Sequence, residues 1–270
     1  MLPLQLIDHL NEKRILHHII AFRGFADRVV RSRADAVVNL LDLERIRSLL
    51  AGWKSDYVLL IGVVHRPNAA ALLSAYSLFA NRHFVKDVIS KGDDNLLRGA
   101  VAILEGWGHQ VIGVHDVMPQ IMAPSGVLGA VYPTDEDKIS VETGFQLLHM
   151  LSPYDVGQAV ALSGKRTLAV EGPEGTDRML MRVKKLQHRF LSFKPAVLRG
   201  ALVKTAKIGQ DLRIDMPAIG PKTVLRAKQA GLNGIAVGAG STLIVQQKET
   251  IQTADRLGLY LIGQDVKDIV

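Results

Sequence analysis

The residues best suited to chemistry lie in one run, Lys204-Thr205-Ala206-Lys207-Ile208-Gly209-Gln210-Asp211-Leu212-Arg213-Ile214-Asp215-Met216-Pro217-Ala218-Ile219-Gly220-Pro221. It sets two carboxylates in a strongly cationic stretch, follows an expected strand, and leads into a helix whose N-terminus attracts anions. Lys204, Lys207 and Arg213 are suited to charge on phosphate oxygens, while an Asp can hold a divalent cation or orient a water. Asp211 and Asp215 are four apart in a loop, so spacing alone sets no geometry between them. A surface loop whose carboxylates cap turns or pair with Arg213 fits the same residues.

A second cluster joins Asp155-Val156-Gly157-Gln158 to Glu171-Gly172-Pro173-Glu174-Gly175-Thr176-Asp177. The first piece enters one strand of an expected hairpin and the second leaves the other strand, so the two can lie side by side. Gly175 would let the backbone approach a phosphate, Thr176 would donate a hydrogen bond, and Gln158 would supply an amide. Thr176 or Asp177 as an ordinary N-cap is the plainer reading. Gly92-Asp93-Asp94 offers paired carboxylates ahead of another helix, where capping is again the plainer reading.

The elements that must position these residues follow from hydrophobic periodicity. Strand-like runs at Ile15–Phe22, Tyr57–Val64 and Gln110–Val114 alternate with helical patterns at Leu41–Ala51, Asn68–Ala80 and Asp94–Gly106. That rhythm means a parallel sheet covered by helices. Pro119, Pro124, Gly126, Gly129 and Pro133 then mark a boundary, placed at Tyr132, which divides the chain into domains 1–132 and 133–270. In the second half a helix over Ile139–Leu151 is followed by strands at Gln158–Leu162 and Thr167–Glu171, then a helix from Asp177 to Gln187. After a strand at Ala201–Lys204 come a helix at Thr223–Ala230, strands at Gly234–Val237 and Leu243–Gln246, a helix at Glu249–Leu257 and a strand at Leu259–Ile262. The fold class is therefore α/β with two α/β domains.

Composition narrows the chemistry. A chain of 270 residues without Cys excludes disulfide scaffolds, Cys-ligated zinc, iron–sulfur clusters and thiol nucleophiles. Its net charge of +7 is uneven: Arg178 to Lys228 holds 13 basic residues against 2 acidic ones, so one surface attracts anions. Nucleic acid is not the expected partner, because aromatics make up only 5 % of the chain and no nucleic-acid module is recognisable. Gly238-Ala239-Gly240-Ser241 lacks the third glycine of a dinucleotide fingerprint, and no Walker loop or nucleophile elbow is present. His17 and His18 are adjacent in a strand-like run, on opposite faces, and cannot pair as ligands. No apolar stretch approaches the roughly 20 residues needed to span a bilayer, so the expected location is cytoplasmic or peripheral.

On these motifs the chain resembles the UDP-2,3-diacylglucosamine pyrophosphatases of lipid A biosynthesis of the LpxI type. The resemblance rests on Asp155-Val156-Gly157-Gln158, on Glu171 through Asp177, and on Gly209-Gln210-Asp211-Leu212-Arg213-Ile214-Asp215-Met216-Pro217 with Ile219-Gly220. Ala230-Gly231-Leu232-Asn233-Gly234-Ile235-Ala236-Val237, Gly92-Asp93-Asp94 with Leu97-Arg98, and Arg66-Pro67 complete it.

Such a resemblance implies hydrolysis of UDP-2,3-diacylglucosamine to 2,3-diacylglucosamine 1-phosphate and UMP, with Mg²⁺ as cofactor. It implies an N-terminal Rossmann-like parallel sheet, a C-terminal mixed-sheet domain, and an active site in the cleft between them. Asp215 is the expected catalytic residue, and Asp215 with Asp211 the expected metal ligands. Gln158, Gly175, Thr176, Asp177, Lys204, Lys207, Gln210 and Arg213 are the expected substrate-binding residues. The lipid substrate implies peripheral contact with the cytoplasmic leaflet of the inner membrane, and a homodimer is left open. Two departures are expected to matter. The family's opening apolar strand and glycine run would be missing, since the chain starts at Met1-Leu2-Pro3, and Val63 follows Gly62 where the family carries a small or polar residue. A non-catalytic binder of nucleotide-sugar or lipid phosphate is the competing reading.

Overall fold

The structure, a computed structural model, describes residues 2–62, 93–154, 156–190 and 199–266. The expected helix at Asn68–Ala80, the Arg66-Pro67 pair, Val63, Gly92 and Asp155 lie outside them. The chain divides into two compact units: Met1–Pro119 with Arg213–Asp215, and Gln120–Leu212 with Met216–Val270.

The second unit is built on a six-stranded mixed sheet. Its strands are β5 (Gly126–Val127), β6 (Ala159–Ser163), β7 (Arg166–Val170), β8 (Ala201–Lys204), β10 (Gly234–Gly238) and β12 (Tyr260–Gln264), in the order β5-β12-β10-β8-β6-β7. Strands β8, β10 and β12 are mutually parallel, and β6 runs against both β8 and β7. Strand period two explains the layers. Ala159 and Ala161 of β6, with Leu202, Ile235, Val237 and Leu261, face α7 (Thr176–Phe190), α8 (Pro221–Gln229) and α9 (Gln247–Leu257). Val160, Leu162, Ala201, Val203, Ala236 and Ile262 face Val141, Phe145 and Leu148 of α6 (Asp135–Leu151). A sheet covered on both faces requires continuous apolar strands, as found here.

Helix α6 begins earlier than its apolar pattern predicts. Thr134 accepts the Asp137 amide and Asp137 accepts the Thr134 amide, a reciprocal cap that starts the helix at Asp135. The expected strand at Leu243–Gln246 shortens to β11 (Leu243–Ile244), paired in parallel with β9 (Ala218–Ile219). Gln246 adopts a left-handed backbone ahead of α9, which ends extended pairing there.

The first unit contains α1 (Leu2–Glu12), which has no counterpart among the expected elements, followed by β1 (Ile20–Phe22), α2 (Arg28–Ser32), β2 (Ala36–Val38), α3 (Leu43–Trp53) and β3 (Tyr57–Leu59). After residue 92 come α4 (Asp93–Gly106), β4 (Gln110–Ile112) and α5 (Val114–Val117). Among the described residues, two separate two-stranded parallel ladders form, β1-β2 and β3-β4. Both contribute to one core around Val38, Ile46, Leu50, Val101, Leu104 and Val111. The run Ile15–Phe22 is extended only from Ile20. His17 bonds back to the Ile15 carbonyl through Nδ1, and His18 stacks on Trp53 at 4.5 Å, so these histidines precede the strand rather than alternate within it. No helix among the described residues is long and apolar enough to cross a membrane.

Candidate functional site

The directions of the six strands bring one set of residues to one sheet edge. Glu171 follows β7, Lys204 ends β8, Gly238 ends β10, and Gln158 precedes the antiparallel β6. In α/β sheets this carboxyl edge of the parallel strands is where ligands bind, because helix N-termini and strand-end loops converge there.

At its centre is a buried polar cluster. The Lys204 ammonium donates to Thr176 Oγ1 at 2.7 Å, and the Thr176 hydroxyl donates to Glu171 Oε1 at 2.5 Å. Lys204 Nζ is itself 3.8 Å from Glu171 Oε1, with side-chain exposures of 9 % and 10 %. The second Glu171 oxygen accepts the Gln158 amide at 3.0 Å, and the Gln158 carbonyl accepts the Thr205 amide at 3.0 Å. A cation and an anion this deeply buried require such hydrogen bonding to offset desolvation. Gly175 stands directly before α7 with φ +81, a backbone that favours glycine, and no described residue comes within 4 Å of where its Cβ would be. The N-terminus of α7 and the Lys204 ammonium meet at one strand edge, where the Glu171 carboxylate balances the lysine's charge and holds both in place.

Loop residues on the same unit have narrower roles. The Lys207 amide donates to Gln210 Oε1 at 2.8 Å and the Gln210 amide to the Lys207 carbonyl at 3.3 Å, closing a tight turn through Gly209 at φ +69. The Gln210 side chain is thus used in shaping the loop. Ser152 Oγ accepts the Ile208 amide at 2.7 Å. Asp177 pairs with Lys222 of α8 at 2.5 Å. Asp211 is half-buried.

Arg213-Ile214-Asp215 is held by the first unit. Ile214 packs into that unit's core with Val111 and Leu104. Arg213 Nη1 donates to Glu105 at 2.8 Å and to the Val111 carbonyl at 3.4 Å, and a Cβ on Gly113 would stand 3.1 Å from Arg213 Cα. The guanidinium expected to meet a phosphate is committed here to a carboxylate and a strand end. Asp215 is half-buried beside this anchor.

Among the described residues no group of three or more His, Asp or Glu side chains is placed to hold a metal ion. Magnesium commonly keeps several waters and needs only one or two carboxylates beside phosphate oxygens, so single half-buried carboxylates such as Asp215 and Asp211 suit it.

The structure thus gathers Lys204, Thr176, Gly175 and the Gln158 backbone at one edge. It also reveals three residues that pattern reading left without a role. Glu171 ties Lys204, Thr176 and Gln158 together; its signal in the sequence was an acidic residue at a strand end before Gly-Pro. Thr205 and Ser241 place their hydroxyls 3.2 Å apart beside Gly238, where the Gly-Ala-Gly-Ser run was a usable marker.

Compared with known proteins, residues 1–121 match the LpxI N-terminal domain and residues 124–262 the LpxI C-terminal domain. The chain belongs to the LpxI family. It is 33 % identical over 267 residues to UDP-2,3-diacylglucosamine pyrophosphatase LpxI of Caulobacter vibrioides, covering 99 % of this chain and 95 % of that protein. The strand-edge cluster falls within the LpxI C-terminal match, as does the Arg213–Asp215 tripeptide.

Proposed function

We propose that this chain is a hydrolase of UDP-2,3-diacylglucosamine that releases UMP and 2,3-diacylglucosamine 1-phosphate in lipid A biosynthesis. The observation that carries the reading is the match to both LpxI domains in order, with a relative of that name aligned over 99 % of the chain. In the reaction a water oxygen bonds to one phosphorus, the bridging P–O bond breaks, and the two products leave as phosphomonoesters.

The ammonium of Lys204, held by Thr176 and Glu171, and the amides opening α7 receive phosphate oxygens, since both are hydrogen-bond donors already oriented at that edge. Gly175 lets the substrate approach that backbone. Lys207 adds cationic charge along the loop, and Gln210 keeps the loop closed. Asp215 is the catalytic carboxylate, orienting the attacking water or holding a magnesium ion, with Asp211 the second carboxylate of the segment. Magnesium, when bound, neutralises charge on the pyrophosphate oxygens. Arg213 positions Asp215 through Glu105 rather than meeting phosphate. The two parallel ladders around one core support reading the first unit as a Rossmann-like parallel sheet.

The test is UMP release from UDP-2,3-diacylglucosamine with and without Mg²⁺, on the wild-type chain and on Asp215→Ala. Loss of about 100-fold or more in a folded Asp215→Ala protein is expected for removal of a group acting in the transition state. Tight substrate binding with no UMP release by the wild type would overturn the reading in favour of a binder.

A further inference from the structure

The first unit carries a cationic face that phosphate hydrolysis leaves unused. Arg28, Arg31 and Ser32 are spaced i, i+3, i+4 on α2 and so share one side of that helix. Arg23, which follows β1, and Val37 on β2 complete the lining of a shallow cavity of about 510 Å³. All five residues are exposed.

Nearby carboxylates are already engaged. Asp27 accepts the Val30 amide, Asp35 accepts the Ile19 amide, and Asp8 pairs with Arg33. Among the described residues, Arg23, Arg28 and Arg31 form no ion pair. Three guanidinium groups held on one small surface repel one another in water, and an array of phosphates relieves that repulsion. Aliphatic surface lies alongside: Val29 is 52 % and Val37 39 % exposed. Arginines flanked by exposed valines suit a bilayer surface, where guanidinium groups meet headgroup phosphates and short apolar side chains enter the interface. The named substrate of the Caulobacter relative is a diacyl amphiphile, and an enzyme acting on such a molecule must reach it at a lipid surface.

We infer that Arg23, Arg28 and Arg31, with Val29 and Val37, form the face by which this chain docks on anionic phospholipid headgroups. The inference rests on the proposed hydrolysis of a diacylated substrate, but its test is independent of turnover. The full chain is floated with vesicles of phosphatidylcholine alone and with vesicles containing about 30 mol % phosphatidylglycerol, across a salt series.

Wild type is expected to bind the anionic vesicles and to be released by salt. The triple variant Arg23→Gln/Arg28→Gln/Arg31→Gln is expected to bind about tenfold or more weakly. The triple Arg→Lys variant, which keeps the charge, should retain most binding. Both should release UMP from detergent-dispersed substrate at the wild-type rate. Unchanged vesicle binding by the Gln variant would overturn the inference, as would equal binding to neutral vesicles or displacement from vesicles by free UMP. So would loss of binding on Lys184→Gln/Lys185→Gln instead, which would place the contact on α7. Failure of the wild type to release UMP would refute the hydrolytic reading and leave the vesicle result standing on its own.

Discussion

Replacing Lys204 by Met is the most informative single perturbation of the strand-edge cluster. The side chain is 9 % exposed and its partner Glu171 10 % exposed, with 3.8 Å between ammonium and carboxylate. Methionine fills much of the lysine stem's volume, so the change is chiefly electrostatic. It leaves Glu171 buried without its ammonium partner, with the Thr176 hydroxyl and Gln158 amide still donating to it. Removing one member of a buried pair costs about 3–5 kcal/mol, and the surviving hydrogen bonds argue for the lower end, about 3 kcal/mol. For a unit of this size that is a fall in Tm of roughly 6–12 °C. Glu171→Gln, which strands the ammonium instead, is expected to cost about as much. The double variant removes both charges and keeps an acceptor for the Gln158 amide, so its loss should fall well short of the sum, with a coupling of about 2 kcal/mol. Thermal and urea unfolding of the four proteins at neutral pH measure this. A strictly additive double variant, or a Lys204→Met loss below about 1 kcal/mol, would refute the view that the cluster is a desolvated, mutually dependent unit.

Other expectations are smaller in scope. Tyr260 is 1 % exposed, its hydroxyl has no hydrogen-bond partner among the described residues, and burial, with the Asp137 carboxylate second, pushes the phenol well above its ordinary 10.0. The unfolded chain therefore loses this proton first, so stability is fully present below about pH 10 and falls as pH rises beyond it. Tyr260→Phe should flatten that alkaline decline in urea unfolding between about pH 8 and pH 11, while changing neutral stability by no more than about 1 kcal/mol. Gly238→Ala would place a Cβ 2.3 Å from both Ser241 Oγ and Thr205 Oγ1, and should lower stability by about 1–3 kcal/mol in the same assay. Ile214→Ala removes an apolar anchor of the Arg213–Asp215 tripeptide. It should cut the rate of UMP release more than it raises KM, and unchanged kcat would argue against a positioning role.

Much of the second unit was legible because its strands are buried on both faces and its helices are strongly periodic. Val160 and Leu162 alternate with Ala159 and Ala161 in the sequence just as they alternate between the two cores. The first unit was harder. Its strands are three residues long, and the apolar run Ile15–Phe22 reads as one strand although only its last three residues pair. Hydrophobicity does not distinguish a strand-paired backbone from one that runs on outside any strand, as residues 15–19 do. The opening helix was missed because Leu2–Glu12 buries only Leu6 and Ile7.

The candidate site divides along the same line. Family membership, the basic stretch around Asp211 and Asp215, and the Gly-Thr-Asp entry to a helix are properties of residue order, and the chain alone determined them. What order could not supply is adjacency across the sheet. Glu171, Thr176 and Lys204 meet because β7 and β8 both run against β6 and so end on the same edge, and the β6–β8 half of that arrangement pairs segments more than 30 residues apart. In the same way, Arg213 and Asp215 look like members of the basic loop in the sequence. Only tertiary packing, through Ile214 in an apolar core and Arg213 on Glu105, assigns that tripeptide to the first unit.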